Sequence, residues 1–447
     1  MNIIHGDCLE ELKKLEDNSV DAVVCDPPYG LSNTKPQQVA DVLKAWVTGD
    51  TVSVPAKRGG FMGKDWDSFV PPPAVWEECM RVLKPGGHMA VFAGARTQDL
   101  MGLSIRLAGF EIRDTLGWVY GSGFPKSMDI SKAIDKAAGA EREVIGSKVT
   151  GNAKQRTSAT GEFVDGNHGG QQVVDVTAPA TSEAQRWDGW GTSLKPAIEP
   201  ILLCRKPLDG TVAANVLAHG VGGLNIDACR VDNGDFQAKK GRGIGTLRLH
   251  GCSTLDELRH LAERGEKCPD GRDAATTLHR IETADDRMAD WTPPPPGRFP
   301  ANVLLDEHAA KEMDKQSGNV KGAVSNGNKK GNGYHGNFGV VPQSPGYADQ
   351  GGASRFFPVF KYQAKAPKKE RPVIVREDGT KIQHATVKPL ALMEWLVSLI
   401  VPPGGTVLDP FAGSGTTLQA AINKGFTPIG IEQDADYIQL INKRLGR

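Results

Sequence analysis

Two short apolar segments near opposite ends of the chain each stop at an aspartate that opens a proline- or glycine-rich loop. Val20-Asp21-Ala22-Val23-Val24-Cys25 runs into Asp26-Pro27-Pro28-Tyr29, and Thr406-Val407-Leu408 runs into Asp409-Pro410-Phe411-Ala412-Gly413-Ser414-Gly415-Thr416-Thr417. Short β-branched runs that end at turn residues are typical of buried strands in a parallel sheet. We therefore predict that the two ends of the chain form one sheet.

Around the first segment, strand and helix patterns alternate. Apolar residues repeat at helical spacing between the short β-branched runs, and Lys84-Pro85-Gly86-Gly87 ends the second helix. The predicted elements are a strand at residues 3–4, a helix at 8–15, the strand at 20–25, a helix at 76–83 and a strand at 88–92. Such alternation favours a doubly wound α/β sheet.

The second segment predicts a strand, a loop, a helix and another strand. Gly413 and Gly415 let a ligand approach the backbone closely, and the strand at 428–431 ends at Glu432. Glu432 follows Asp409 by 23 residues. In Rossmann folds an acid about 20 residues beyond the loop meets the ribose hydroxyls of an adenosine cofactor. This half of the sheet is therefore predicted to bind such a cofactor.

The two loops and their order along the chain resemble those of the β-class of amino-methylating DNA methyltransferases. In that class the catalytic half comes first, a target-recognition insert follows, and the cofactor half comes last. His384-Ala385-Thr386-Val387-Lys388-Pro389 is similar to the class's helix-entry motif, His-Pro-x-x-Lys-Pro, with Ala385 in place of the first proline. The resemblance covers residues 1–130 and 355–447.

The resemblance implies a fold and a division of the chain. The fold is an α/β, Rossmann-like S-adenosylmethionine-dependent methyltransferase sheet, permuted, with a large loop-rich target-recognition insert. We expect residues 1–125 to form the catalytic half, residues 126–372 the insert, and residues 373–447 the cofactor-binding half of the methyltransferase domain.

The Asp-Pro-Pro-Tyr motif (Asp26, Pro27, Pro28 and Tyr29) suits the activation of an exocyclic amino group, whose lone pair is delocalised into the base. If the Asp26 carboxylate and the Pro27 carbonyl accept the amino hydrogens, the nitrogen can pyramidalise and attack a sulfonium methyl group. The two prolines fix φ at about −65° and remove backbone donors, which aims that carbonyl. Tyr29 would stack on a base that has been extruded from the duplex.

In the resembled class, Asp before Pro-Pro-Tyr favours N6-adenine, whereas Ser in that place favours N4-cytosine. We therefore expect a sequence-specific DNA adenine-N6 methyltransferase, either solitary or part of a restriction-modification pair. The alternatives are an N4-cytosine methyltransferase and a catalytically silent DNA-binding subunit. The intact motifs speak against the silent subunit.

The resemblance also implies the contacts of the cofactor, S-adenosylmethionine. The glycine-rich loop (residues 409–417) would line its methionine and ribose side, Glu432 would bind the ribose diol, Asp7 the adenine amino group, and Thr386 with Lys388 the methionine carboxylate region. The predicted cofactor residues are Asp7, Thr386, Lys388, Asp409, Phe411, Ala412, Gly413, Ser414, Gly415, Thr416, Thr417 and Glu432. The alternatives are that Asp7 only caps the following helix and that Lys388 is solvated.

The formal net charge is zero, but it is unevenly distributed. Residues 321–371 carry nine Lys or Arg against two acids, whereas residues 1–33 carry two Lys against seven acids. Beside a methylase core this basic segment is a candidate for phosphate contacts, although such runs also form ordinary solvated faces. The predicted DNA-binding residues are Lys57, Arg58, Lys361, Lys365, Lys368, Lys369 and Arg371.

The insert gives fewer signals. Trp187 and Trp190 could read bases or belong to a small core, and we favour the core. Residues 31–73 are interpreted as a mobile lid over the flipped base.

Composition excludes several classes of protein. The seven cysteines include no Cys-x-x-Cys pair, and no apolar window is long enough to span a bilayer. We expect a cytoplasmic protein with no membrane contact, no metal and reduced cysteines. Its partners are double-stranded DNA and, by resemblance, a second copy in a homodimer.

Overall fold

The structure is a computed structural model that describes residues 1–32, 34–55, 67–121, 123, 127–150, 172–232, 255–279, 297–321, 350–360, 370–384 and 386–447. Its chain divides into two compact units. The first comprises residues 1–121 and 198–447, and the second comprises residues 122–197.

The described strands are numbered in chain order. They are β1 (Asn2–His5), β2 (Val20–Cys25), β3 (Leu83–Phe92), β4 (Glu111–Val119), β5 (Val144–Thr150), β6 (Gln172–Thr177), β7 (Ile198–Arg205), β8 (Val303–Asp306), β9 (Val320–Lys321), β10 (Gln350–Gly351), β11 (Val359–Phe360), β12 (Val373–Val375), β13 (Lys381–Gln383), β14 (Thr406–Asp409) and β15 (Thr427–Glu432).

The helices used below are numbered in the same way. They are α1 (Cys8–Leu12), α2 (Pro36–Val47), α3 (Pro73–Val82), α4 (Gln98–Leu107), α5 (Ile130–Ala138), α6 (Ser182–Arg186), α7 (Val212–His219), α8 (Leu255–Glu263), α9 (Glu307–Ser317), α10 (Leu390–Ile400), α11 (Thr416–Asn423) and α12 (Ala435–Arg444).

The larger unit is built on one sheet whose described strands lie in the order β1-β15-β14-β2-β3-β7-β4-β8-β11. Neighbouring strands are parallel, except that β7 runs antiparallel to both β3 and β4. At its centre β14 pairs with β2, with Val407 opposite Ala22 and Leu408 opposite Val23. The prediction that the two ends of the chain form one α/β sheet is therefore confirmed.

Both faces of this sheet are covered, as the run of apolar residues in β2 predicts. All six residues of β2 are buried. Val23 and Cys25 face a core formed with α3 and α4, whereas Ala22 and Val24 face a core formed with α10 and α11. Because side chains alternate across a strand, a continuous apolar run fits only a strand that is buried on both sides.

The third strand begins five residues earlier than the sequence predicts. The segment Lys84-Pro85-Gly86-Gly87, interpreted as a helix stop, is already part of β3. Gly86 has a φ of +76°, and a Cβ there would lie 2.3 Å from Nδ2 of Asn215, which donates to the Pro85 carbonyl at 2.9 Å. The glycine thus lets α7 approach this extended segment closely.

The compact units have other boundaries than the predicted insert, and the extent of the target-recognition region stays a prediction. Strands β7, β8 and β11 lie within residues 126–372 but belong to the large sheet. The smaller unit contains α5, the antiparallel pair β5 and β6, and α6. Its buried Asp135 accepts hydrogen bonds from Thr181 N–H at 3.0 Å, Thr181 Oγ1 at 2.8 Å and the Arg142 guanidinium at 2.5 Å.

The interpretation of Trp187 and Trp190 as core residues is wrong. Their rings contact each other edge to face at 5.1 Å, but the side chains are 43% and 60% exposed. They follow the short helix α6, in which only Ala184 is buried. A five-residue helix with one small buried side chain offers too little apolar surface to cover two indoles.

Candidate active site

The two loops meet at the carboxyl edge of the sheet, where the chain path diverges. From β14 the chain passes through α11 to β15 on one side, whereas from β2 it passes through α2 and α3 to β3 on the other side. Open α/β sheets bind ligands at such a switch point. The Asp-Pro-Pro-Tyr motif follows β2 and the glycine-rich loop follows β14, so adjacent strands present both.

Asp26 lies in a cluster of charged and aromatic groups. The Lys388 ammonium is 3.2 Å from the Asp26 carboxylate, 2.9 Å from the Glu199 carboxylate and 2.9 Å from the Tyr29 hydroxyl. It also lies 4.7 Å from the centre of the Phe92 ring, within cation–π range. Lys388 therefore faces the Asp-Pro-Pro-Tyr motif, and the alternative that it is solvated does not hold.

Burial and neighbouring charges set the ionisation of this cluster. Burial raises the pKa of Asp26, while the Lys388 charge lowers it and the Glu199 charge raises it further. Burial would lower the pKa of Lys388, but the two carboxylates together raise it above its ordinary value. Burial, Asp26 and Glu199 raise the pKa of Tyr29 well above its ordinary value. These shifts favour the ammonium form of Lys388 and the neutral phenol form of Tyr29.

The backbone that follows Asp26 is fixed on both sides. Pro27 is buried, and the carboxylate of the buried Asp67 accepts hydrogen bonds from the N–H groups of Tyr29 at 2.7 Å and Gly30 at 3.0 Å. The Thr97 hydroxyl donates to the Tyr29 carbonyl at 2.6 Å. The motif is thus held rigidly by groups outside it. Asp67 falls in the segment that the sequence interpretation assigned to a mobile lid, and a lone aspartate offers no spacing signal that would have revealed its role.

The glycine-rich loop is tied to both adjacent strand ends. Asp409 accepts a hydrogen bond from Phe411 N–H at 3.0 Å and another from the Thr417 side chain. Gly413 N–H donates to Glu432 at 2.8 Å. Burial raises the pKa of Asp409 to about 7 and also raises the pKa of Glu432. The two predicted acids therefore hold the loop, and each carboxylate oxygen of Glu432 keeps a lone pair for a ligand hydroxyl.

The other predicted members of this loop are buried or partly buried. The Phe411 ring packs against Trp76, with 6.1 Å between ring centres, so it contributes to the core. The Ser414 carbonyl accepts a hydrogen bond from Arg444 at 2.6 Å, which ties the loop to the last helix. Ala412, Ser414, Thr416 and Thr417 are all buried.

Asp7 and Thr386 lie at the edges of this region. Asp7 caps α1, accepting hydrogen bonds from the N–H groups of Leu9 at 3.0 Å and Glu10 at 3.3 Å, as the structural alternative predicts. It follows β1 by two residues, and the last residue of β1, His5, pairs with Glu432. Thr386 is exposed, and its backbone contacts the ring of His384. Contacts of either residue with the cofactor remain predictions.

Of the seven predicted DNA-binding residues, the described part of the chain includes Arg371 alone. Lys57, Arg58, Lys361, Lys365, Lys368 and Lys369 lie outside the described residues. Arg371 is partly buried, and burial lowers its pKa. A role in phosphate contact stays a prediction for all seven residues.

The described ranges were compared with the arrangements needed for a metal site and for a membrane-spanning helix. No group of three or more His, Cys, Asp or Glu in them is arranged to hold a metal ion. None of the helices in them is both long enough and apolar enough to cross a membrane.

Solved structures align with the chain over its whole length at low similarity. The M1.HpyAVI complex with S-adenosylmethionine is 15% identical with a TM-score of 0.37, covering 100% of this chain and 99% of that one. The cytosine-N4-specific PvuII DNA methyltransferase is 12% identical with a TM-score of 0.40, covering 99% of this chain and 85% of that one.

Sequence relatives match over segments of different length. The type II methyltransferase M.HindIII of Haemophilus influenzae is 24% identical over 59% of this chain and 76% of its own length. The type II methyltransferase M.BglI of Bacillus subtilis and the DNA adenine methyltransferase YhdJ of Escherichia coli are each 47% identical over 62 residues, 14% of this chain. Those short matches span 18% and 21% of the two relatives.

A family model described as DNA methylase matches residues 20–443, which is nearly the whole chain. The match includes the Asp-Pro-Pro-Tyr motif, the Lys388 segment and the glycine-rich loop, which meet in the structure at one edge of the sheet. S-adenosylmethionine is the cofactor of this family. The chain therefore belongs to the S-adenosylmethionine-dependent N6/N4 DNA methylase family.

Proposed function

We propose that the protein transfers a methyl group from S-adenosylmethionine to the N6 amino group of an adenine extruded from double-stranded DNA, at a specific sequence. One observation carries the proposal. The Asp-Pro-Pro-Tyr motif and the glycine-rich loop follow adjacent parallel strands, β2 and β14, at the switch point of the sheet. The motif proposed to accept the hydrogens of the amino group therefore lies next to the loop proposed to bind the cofactor.

The catalytic contribution of the motif is to position and activate the amino group. Asp26 and the Pro27 carbonyl accept the two amino hydrogens, which localises the nitrogen lone pair and directs it at the methyl carbon. The Asp26 carboxylate would stabilise the positive charge that develops on the nitrogen as it takes up the methyl group. The excess proton of the methylated amino group would then pass to solvent water.

The aromatic ring of Tyr29 receives the base. Extrusion from the duplex costs on the order of a few kcal/mol, and stacking on an aromatic ring returns about 1–3 kcal/mol. Asp67 and Thr97 fix the Tyr29 backbone, so the ring is held in place before the base arrives. A preorganised ring loses less entropy on binding than a mobile one.

The residues present fit the family's cofactor. Bound S-adenosylmethionine supplies an electrophilic methyl group on a sulfonium centre. Glu432 would accept from the ribose hydroxyls, while Gly413 and Gly415 allow the adenosine moiety to approach the loop backbone. Their φ values of +52° and +78° place both glycines in the left-handed region.

The choice of adenine rests on the aspartate before Pro-Pro-Tyr, and one relative, YhdJ, is a DNA adenine methyltransferase. N4-cytosine is the alternative target, since both bases present an exocyclic amino group to the same acceptors. We also propose that the protein acts as a homodimer, that residues 126–372 contain the target-recognition elements, and that the enzyme is solitary or paired with a restriction nuclease.

The test is to incubate the protein with mixed-sequence duplex DNA and labelled S-adenosylmethionine, then to identify the methylated nucleoside by mass spectrometry. Asp26→Ala should abolish the product while retaining cofactor binding. Asp17→Ala, a change at an exposed aspartate that pairs with Arg81, is the control and should not affect it. N6-methyladenosine that disappears in Asp26→Ala supports the proposal. N4-methylcytosine would overturn the choice of base, and no product from the wild type would overturn the enzymatic proposal.

A further inference from the structure

We propose that Glu199 is a positioning residue, which holds the Lys388 ammonium so that the Asp26 carboxylate stays available to the amino group of the base. This inference rests on the proposed function. Glu199 belongs to no motif recognised in the sequence, and it comes from a strand that the sequence analysis did not assign.

The direction of β7 explains how Glu199 reaches the site. The other strands of the large sheet end at the carboxyl edge, but β7 is antiparallel to its neighbours and begins there. Glu199 is its second residue and pairs with Trp118 near the end of β4. An antiparallel strand thus brings its first side chains to the edge where β2 presents Asp26.

The distances show how Lys388 is shared. An ammonium has three hydrogens, and the three oxygen acceptors around it belong to Glu199 at 2.9 Å, Tyr29 at 2.9 Å and Asp26 at 3.2 Å. The contact with Asp26 is the longest. Because Lys388 has a second carboxylate, it can remain paired while Asp26 turns to the incoming amino hydrogens. Without Glu199, the full charge of this largely buried ammonium would bind Asp26 alone and compete with the base.

The charges of Asp26, Glu199 and Lys388 also support a positioning role for Glu199. Two carboxylates and one ammonium leave a net negative charge beside the reacting nitrogen, which develops positive charge during transfer. The titratable groups that face this cluster come from several elements. Among the described residues they are Cys25, Tyr29, Tyr120, Glu199, His384, Lys388 and Asp409.

A double-mutant cycle tests the inference. Glu199→Gln keeps the size of the side chain and removes its charge, and it should lower the single-turnover methylation rate on the order of tenfold, as expected for coupled neighbours. If Glu199 acts only through Lys388, the same change in a Lys388→Met background should cause no further loss. Additive losses in the double variant would overturn the inference.

The pH profile provides a readout that a merely structural role would not move. The Glu199 charge raises the pKa of Asp26 and the Lys388 charge lowers it. The acidic limb of the rate profile should therefore move to lower pH in Glu199→Gln and to higher pH in Lys388→Met. Limbs that move in the same direction, or do not move, would contradict the proposed arrangement.

Three controls separate this inference from loss of fold or of the proposed function. Glu199→Asp should retain more activity than Glu199→Gln, since it keeps the charge. Glu111→Gln removes a carboxylate on β4 that pairs with Arg205 and should leave the rate unchanged. Cofactor affinity and the unfolding transition of Glu199→Gln should match the wild type. An active wild type with an equally active Glu199→Gln would overturn only this inference, whereas a wild type that leaves DNA unmodified would overturn the proposed function as well.

Discussion

At the scale of single residues, neighbours decide what a motif residue does. The helix-entry motif marks Lys388 as functional but gives no partner for it, and the resemblance directs it to the methionine carboxylate. The structure surrounds its ammonium with Asp26, Glu199 and Tyr29. Contact with the methionine carboxylate stays a prediction. A buried ammonium requires nearby carboxylates, and only the folded chain shows which ones they are.

Gly413 provides a prediction at this scale. Gly413→Ala should weaken S-adenosylmethionine binding, because the new Cβ would lie 3.0 Å from Nε2 of His384 and the left-handed φ of +52° costs a further 1–2 kcal/mol, roughly. Gly425→Ala is the matched control: its φ is +77° but nothing lies within 4 Å of the new Cβ. Isothermal titration should show a loss of affinity for Gly413→Ala only. Equal losses in both variants would mean that backbone strain alone, without the His384 contact, explains the effect.

At the scale of elements, the ends of parallel strands gather carboxylates in one place. Asp26 directly follows β2, and β14 and β15 end at Asp409 and Glu432; burial raises the pKa of each of these acids. Keeping these buried carboxyl groups ionised costs stability, as is common where acids are gathered at a functional site. The cost should appear as a dependence of stability on pH.

Asp409 makes this cost measurable. Its pKa of about 7 in the folded protein exceeds the ordinary value of 3.8, so the folded state binds this proton more tightly than the unfolded state does. The free energy of unfolding should therefore fall as pH rises from about 4 to about 7, by at most about 4 kcal/mol from this group. Asp409→Asn should lack this contribution. Denaturant unfolding at several pH values would give the difference between the variants, and a difference independent of pH would contradict the assignment.

The elements also show where prediction from sequence stops. β2, β14 and β15 could be predicted because apolar runs between turn residues are local signals. β7 could not be placed, although Ile201 to Cys204 is an apolar run, since neither its antiparallel direction nor its neighbours are encoded locally. The same limit hides Glu199 and Asp67, whose roles depend on contacts with residues distant in the chain.

At the scale of the whole molecule, the order of the strands in the sheet differs from their order along the chain. The first strand pairs with the last, with Ile3 opposite Gly430, and β14 near the end of the chain pairs with β2 near its start. The sheet thus unites two halves that the chain presents in reverse order. Its stability depends on these pairings, which any chain order that preserves the strands can form.

A circular permutant tests whether the same sheet forms when the order of the strands along the chain is changed. Arg447 would be joined to Met1 by a short Gly/Ser linker, and new termini would be opened within residues 322–349, where the sequence is rich in glycine and asparagine. We expect the permutant to bind S-adenosylmethionine and to methylate DNA as the original chain does, because every described strand pair is retained.

A second permutant is the control. It keeps the same linker but is opened between Cys25 and Asp26, which cuts the chain that holds the catalytic motif on β2. It should therefore bind the cofactor and lose methylation. Failure of the first permutant to fold would show that the original connection through residues 322–349, between β9 and β10, is needed to assemble the sheet.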